Sequence, residues 1–330
     1  MKKRIKWYHP LTVWIFVFIL CLGVSLSAKK REMKEFSIDE IKETVQKLMK
    51  EGDIPGLSLV ILRPDRPDFI EGFGYANLEK KIPVTPDTLF EIGSCSKSFT
   101  GLAALKLEAE GLLNLDNQVS KYLPWFYVTY EGEKVEITVR QALHHSSGIP
   151  FNSIERIPMG DDEDALEQTV KNIVGMELDF RPGTRFLYAT VNYDIIGLII
   201  EKVSGINYEE YMEKQIFQPL GLSATTVGMA RVDPAASEKK STGYKISFFD
   251  PRPYDAPAYR GNSPAGYIVC NAKDVARWLK LQLELVESPL TPLIRKSHQR
   301  DELVPPNLFD MSSYTMGWQV SLSGNGEIRH

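Results

Sequence analysis

The chain has 330 residues, 43% of them apolar, with 39 Lys and Arg against 43 Asp and Glu for a net charge of −4. That is enough apolar residue for a sizeable core, in one large domain or two closely packed lobes, and no internal repeat, low-complexity tract or flexible linker interrupts it. The acidic balance argues against nucleic acid or an anionic membrane surface as the main partner, and 3 cysteines exclude a disulfide framework.

Residues 1–28 open with Lys2, Lys3, Arg4 and Lys6, continue through an apolar run from Leu11 to Val24, and end on the small residues Ser25, Ser27 and Ala28. This is the order of an export signal, with cleavage expected near Ser27 or Ala28. An uncleaved N-terminal anchor is the rival, because the apolar stretch approaches the length of about eighteen residues at which a helix can cross a bilayer. Either reading makes the remainder secreted or extracytoplasmic, the second with membrane attachment. Without residues 1–28 the net charge becomes −8.

Ser37-Ile38-Asp39-Glu40 is a capping-box pattern, and Ile38, Ile41, Val45, Leu48 and Met49 follow at helical spacing. Two runs rich in β-formers, Gly56 to Leu62 and Phe69 to Ala76, flank a Pro- and Asp-containing break and predict a hairpin. Next comes Gly93-Ser94-Cys95-Ser96-Lys97, leading into an apolar run with Leu102, Leu105, Ala109 and Leu112 at helical spacing and Gly111 as a stop signal. A helix beginning at or just before Ser94 puts Ser94 and Lys97 on one face. A serine hydroxyl is a weak nucleophile until a base takes its proton, and a lysine serves if desolvation and nearby cations keep it neutral.

The match extends beyond the Ser-x-x-Lys tetrad. Thr85-Pro86-Asp87-Thr88-Leu89-Phe90-Glu91-Ile92-Gly93-Ser94, then Glu110-Gly111-Leu112-Leu113-Asn114-Leu115-Asp116 and Lys121-Tyr122-Leu123-Pro124, closely resemble the class C β-lactamase and D,D-peptidase-like serine hydrolase family. The resemblance covers roughly residues 37–330. It implies a β-lactamase/transpeptidase-like α/β (α+β) fold, in which a central antiparallel sheet is flanked by helices and joined to a mostly helical lobe.

Further along, Thr138 to Gln141 caps another helix, which ends in His144-His145-Ser146-Ser147-Gly148. Adjacent histidines point in different directions and no metal-ligand spacing accompanies them, so the run is not a metal site; it resembles a structural turn of the same family. Asp161 to Asp164 reads as a solvated loop and helix start. In Pro182-Gly183-Thr184-Arg185-Phe186-Leu187-Tyr188-Ala189-Thr190, the resemblance makes Tyr188 a partner of Lys97 in proton traffic, provided nearby cations pull its pKa below about 10. Thr190 stands where the family usually has asparagine, a substrate-binding position, and a threonine hydroxyl cannot match both groups of an amide. Asn192 does not take over that role. Ile195 to Val203, closed by Gly205, is a core helix.

Gln218-Pro219-Leu220-Gly221-Leu222, Ser263-Pro264-Ala265-Gly266 and Ala272 to Trp278 also resemble the family, the last entering a helix. Gly261-Asn262-Ser263-Pro264-Ala265 imitates a nucleophile elbow, but Pro264 lacks the N–H that an oxyanion hole needs there, so Ser263 is a poor nucleophile. Cys95 and Cys270 are expected as two buried thiols, with a bridge between them in an oxidising compartment as the alternative. Near the end, Tyr314-Thr315-Met316-Gly317-Trp318 resembles a strand that leads into a second strand carrying a Lys-Thr-Gly or His-x-Gly motif. His330 falls where this third, substrate-binding motif opens, so the C-terminal strands are expected to be missing and the chain to be a fragment.

The resemblance implies an exported serine hydrolase forming an acyl-enzyme at Ser94, with Lys97 and Tyr188 moving the proton and no metal or organic cofactor. Its partner is a small-molecule or cell-wall peptide substrate: a D-amino-acid peptide amide, a β-lactam or a carboxylic ester. Peptidase or esterase ranks above dedicated β-lactamase. The alternative is a catalytically impaired penicillin-binding-like protein with a binding or regulatory role at the cell envelope.

Overall fold

The computed structural model describes residues 37–63, 65–247, 250–301, 312–322 and 328–329. The expected export segment 1–28 and His330 with its third motif lie outside the described residues. The chain divides into two compact units, 1–48 and 49–330.

The first unit contributes the start of helix α1 (Ile38–Glu51). Its N-terminus has the expected capping box: the Ser37 hydroxyl accepts from the Glu40 N–H at 3.1 Å, and the Glu40 carboxylate accepts from the Ser37 N–H at 2.9 Å.

In the second unit, β1 (Gly56–Arg63) and β2 (Arg66–Asn77) form the expected hairpin, with Leu59 opposite Glu71 and Ile61 opposite Phe69. β3 (Ile82–Pro83) adds to β2. The short strand β4 (Phe90–Glu91) then feeds the nucleophile turn and helix α2 (Ser96–Ala109). A hairpin, β5 (Val128–Tyr130) with β6 (Glu133–Val135), occupies the charged excursion before α3 (Val139–Leu143), whose Thr138 and Gln141 make a second capping box. Two helices follow, α4 (Ala165–Lys171) and α5 (Val191–Ser204), the latter closed by Gly205 at φ +76°.

After α6 (Tyr208–Met212) and α7 (Gln218–Leu220) come strand β7 (Thr226–Val227) and the hairpin β8 (Tyr244–Ser247) with β9 (Asp250–Pro253). The Ser-Pro-Ala-Gly stretch is itself a one-turn helix, α8 (Ser263–Gly266), running into β10 (Ile268–Cys270) and α9 (Ala272–Gln282). β10 lies between β4 and β7 in an antiparallel sheet. Helix α10 (Thr291–Ser297) precedes the last described strands, β11 (Ser313–Tyr314), β12 (Gln319–Leu322) and β13 (Ile328–Arg329), paired antiparallel in that order.

Helices α2 and α5 are the inner elements, and they pack on each other. Phe99, Leu102, Ala103, Ala104, Leu105 and Leu107 of α2 and Ile195, Ile196, Leu198, Ile199 and Ile200 of α5 are all buried. A helix apolar on every side is stable only when surrounded, and this surrounding is what lets α2 hold a polar side chain in a fixed place. Leu112 departs from the expected stripe: α2 ends at Ala109, Gly111 takes φ +73°, and Leu112 is left exposed.

The Tyr314–Trp318 segment is a tight hairpin instead of a single strand. Tyr314 pairs with Gln319, and Gly317 sits at φ +90° in the turn. Backbone meets backbone here. A Cβ on Gly317 would stand 2.3 Å from the Ser98 nitrogen, and one on Gly101 would stand 2.4 Å from the Met316 carbonyl oxygen. Gly317→Ala is expected to destabilise the chain by about 2–4 kcal/mol through left-handed strain and this clash together. A lowered denaturant midpoint with unchanged slope is the measurement; an unchanged midpoint would sink the claim.

Candidate active site

The site begins with the turn between β4 and α2. The Ile92 N–H bonds the Ile268 carbonyl at 2.9 Å, which fixes the strand's exit, and Gly93 then swings the chain at φ +54°. No atom lies within 4 Å of a Cβ added at Gly93, so the backbone angle demands glycine there, not crowding. A 3₁₀ turn (Gly93–Cys95) leads into α2, so Ser94 precedes the α-helix proper. Ser94 is exposed, whereas Lys97, one turn deeper, is completely buried.

Four of the five sequence candidates converge. The Lys97 ammonium donates to Ser94 Oγ at 3.2 Å, to Thr190 Oγ1 at 3.3 Å and to the Ala265 carbonyl at 2.7 Å. The Tyr188 hydroxyl donates to Ser94 Oγ at 3.0 Å. His330, the fifth, lies outside the described residues.

Burial sets the electrostatics. It lowers the Lys97 pKa to about 8, although the negative charge of Asp194 and the Cys95 thiolate act in the opposite direction. Burial also raises the Tyr188 pKa, with the hydrogen bond to Ser94 only partly offsetting it. This corrects the expectation that cations pull the Tyr188 phenol below its ordinary range. At neutral pH Tyr188 is a neutral phenol and a hydrogen-bond donor, which leaves Lys97 as the better base.

A buried polar frame stands behind these groups. His145 sits at φ +54° after α3, with its ring 4.2 Å from that of Tyr188 and 4.6 Å from that of Tyr314. The Ala189 N–H donates to His145 Nδ1 at 3.3 Å, and the Asn192 amide approaches the same nitrogen at 3.1 Å, which makes Nδ1 the acceptor. Burial and the Lys97 charge hold His145 neutral. Asn192 also accepts from the Ser147 hydroxyl at 2.9 Å, so its capacity goes into the frame and not into the cleft. His144 Nδ1 lies 2.6 Å from the Tyr314 carbonyl. Among the described residues no cluster of three or more His, Cys, Asp or Glu could hold a metal.

Three participants escaped the reading of the sequence: the Ala265 carbonyl, Asp194 and Asn262. A carbonyl has no sequence signature. Asp194, by contrast, was visible as a lone acid at the head of a continuously apolar helix. Ser263 is buried in α8, and the neighbouring Pro264 carbonyl accepts from Thr100 Oγ1 at 2.6 Å. The cysteines differ from expectation: both are free thiols, but Cys95 is exposed beside Ser94 and only Cys270 is buried. The start of a helical segment leaves Cys95 without covering neighbours.

A model of the Beta-lactamase family matches residues 41–330. The chain belongs to the beta-lactamase family. This is a family of serine hydrolases with an α+β fold of antiparallel sheets and helices, as described above. Among its relatives, Protein flp of Staphylococcus aureus is 31% identical over 284 residues, which are 86% of this chain and 56% of that protein. A Beta-lactamase of Escherichia coli is 30% identical over 249 residues, 74% of this chain and 61% of that one. The chain thus spans little more than half the length of the curated relatives it matches. The octameric penicillin-binding protein homologue from Pyrococcus abyssi superposes with a TM-score of 0.75 at 32% identity, covering 89% of this chain and 67% of that one.

Proposed function

We propose that this member of the beta-lactamase family is an exported serine hydrolase working through an acyl-enzyme at Ser94. The observation that carries the reading is the convergence of Lys97 Nζ and the Tyr188 hydroxyl on Ser94 Oγ at 3.2 and 3.0 Å. As Oγ attacks a carbonyl, its proton passes to the free amine of Lys97, and Tyr188 supplies a proton toward the leaving group. The Ser94 N–H lies in the first turn of a helical segment, where no intrahelical acceptor claims it, and it serves as an oxyanion donor. Thr190 accepts from the Lys97 ammonium and orients it.

The substrate class is an amide of a D-amino-acid peptide, an ester or a β-lactam. Peptide or ester ranks first, because Thr190 offers one short hydroxyl where an asparagine would offer both a donor and an acceptor. Glu91, three residues before Ser94, and Ser263, two before Ala265, line part of a cavity of about 350 Å³ together with Tyr259 and Tyr267, a candidate space for a substrate side chain. The basic, apolar, small-residue order of residues 1–28 supports export or N-terminal anchoring. Among the described residues no helix is long and apolar enough to cross a membrane.

The test is peptide mapping after exposure of the full chain to a fluorophosphonate or a fluorescent penicillin. One adduct on the peptide that contains Ser94, absent from Ser94→Ala, is the expected result. Labelling that persists in Ser94→Ala would overturn the assignment.

A further inference from the structure

The buried carboxylate of Asp194 has no place in the scheme above. It stands in the first turn of α5 with 0% exposure, beside the buried Asn192 and Tyr193 and ahead of the buried apolar run from Ile195 to Ile200. An ionised carboxylate in such a place is costly unless donors and a counter-charge meet it. The donor is Asn262. With its amide nitrogen turned toward the carboxylate, it reaches the two Asp194 oxygens at 3.1 and 3.0 Å. Asn262 caps α8, and three residues later the Ala265 carbonyl of the same turn takes the 2.7 Å hydrogen bond from Lys97 Nζ. α8 is wedged against α5 closely enough that a Cβ on Gly197 would lie 2.1 Å from Pro264. One rigid turn therefore grips the carboxylate at one end and the lysine at the other.

The surroundings leave Lys97 as the counter-charge. Burial pushes the Asp194 pKa well above the ordinary carboxylate range, and on the elements packed against α5 the Lys97 ammonium is the charge that acts against that rise. The Tyr188, Tyr208 and Tyr267 phenols feel the carboxylate in turn but are neutral. His145, beyond α3, and the Cys95 thiol face Lys97 and not Asp194. Lys202 is taken by Glu167 of α4 at 2.6 Å, and Arg260, just before Asn262, by Glu209 at 2.8 Å.

We infer that Asp194 is a positioning residue for the reaction at Ser94: held by Asn262 and tied through the α8 turn to Lys97, its carboxylate stabilises the Lys97 ammonium. The inference rests on Lys97 acting as the base. When the Ser94 O–H bond breaks and the new Oγ–C bond forms, the proton goes to Lys97 Nζ, and Asp194 keeps its own protonation state while its charge favours the ammonium so formed. The same charge makes the resting lysine hold its proton to higher pH.

The experiment is the pH dependence, from 6 to 10, of the rate at which a fluorophosphonate labels Ser94 in the full chain and in Asp194→Asn. Loss of the negative charge weakens the ammonium, so the rise in rate moves to lower pH while the plateau falls. The rate at pH 6.5 relative to that at pH 9 is expected to increase about tenfold, equivalent to one pH unit. Asn262→Ala is the second variant, made at a less buried position. It removes the carboxylate's donor, lets Asp194 take up a proton more readily, and is expected to move the profile in the same direction by a smaller amount. A merely structural role would lower the rate equally at every pH. Profiles that overlay wild type in shape, with labelling intact, would overturn the role of Asp194 alone; wild-type chain without Ser94-dependent labelling at any pH would overturn the hydrolase reading and this inference with it.

Discussion

Replacing Lys97 with methionine is expected to slow acylation of Ser94 by about 10³–10⁴-fold, the upper part of the range for a positioned acid or base. Methionine is an unbranched chain of similar length, so it fills the buried space the Lys97 side chain occupies without opening a large cavity. What it removes is the one nitrogen that contacts Ser94 Oγ, Thr190 Oγ1 and the Ala265 carbonyl together. The pH profile separates this loss from a distortion of the site. Lys97 is an ammonium below its pKa of about 8 and an amine above it, so wild-type acylation should climb as pH rises through about 8 and then level off. In Lys97→Met that rise should disappear, leaving a slow rate that tracks hydroxide. A variant that keeps the wild-type rise would show that another group is the base.

The second large effect is expected from Tyr188→Phe, and its size should depend on the leaving group. The Tyr188 phenol donates to Ser94 Oγ at 3.0 Å and is held neutral by burial, so its contribution is a proton and not a base. An amide nitrogen cannot leave without a proton, whereas a p-nitrophenolate can. Turnover of an amide should therefore fall about 10²–10³-fold, and that of a p-nitrophenyl ester by about tenfold or less. The tilted ring of His145, 4.2 Å from that of Tyr188, keeps the phenylalanine in place, so the comparison isolates the hydroxyl. Equal losses on both substrates would assign Tyr188 to activation of Ser94 instead of protonation of the leaving group.

Much of the fold was legible because its signals are local. The Ser37 and Thr138 capping boxes, the stops at Gly111 and Gly205 and the Gly56–Ala76 hairpin depend on residues a few positions apart, and all are present with boundaries shifted by a few residues. The bend at Gly317 was misread as continuous strand. Its cause is the backbone contact with Ser98 of α2, far away in sequence.

The site divides along the same line. The sequence by itself named the side chains proposed for the chemistry: Ser94 and Lys97 are a helical turn apart, and the stretch around Tyr188 and Thr190 has a pattern of its own. Only the tertiary structure decided their state. Burial lowers Lys97 and raises Tyr188, reversing the part expected of the phenol, because desolvation depends on what the rest of the chain packs around each group. Likewise Asp194 and the Ala265 carbonyl act on Lys97 from residues roughly a hundred and more positions away in sequence, and Asn262 meets Asp194 from the same turn as Ala265. No spacing rule connects them to Lys97; the packing of α8 between α2 and α5 does.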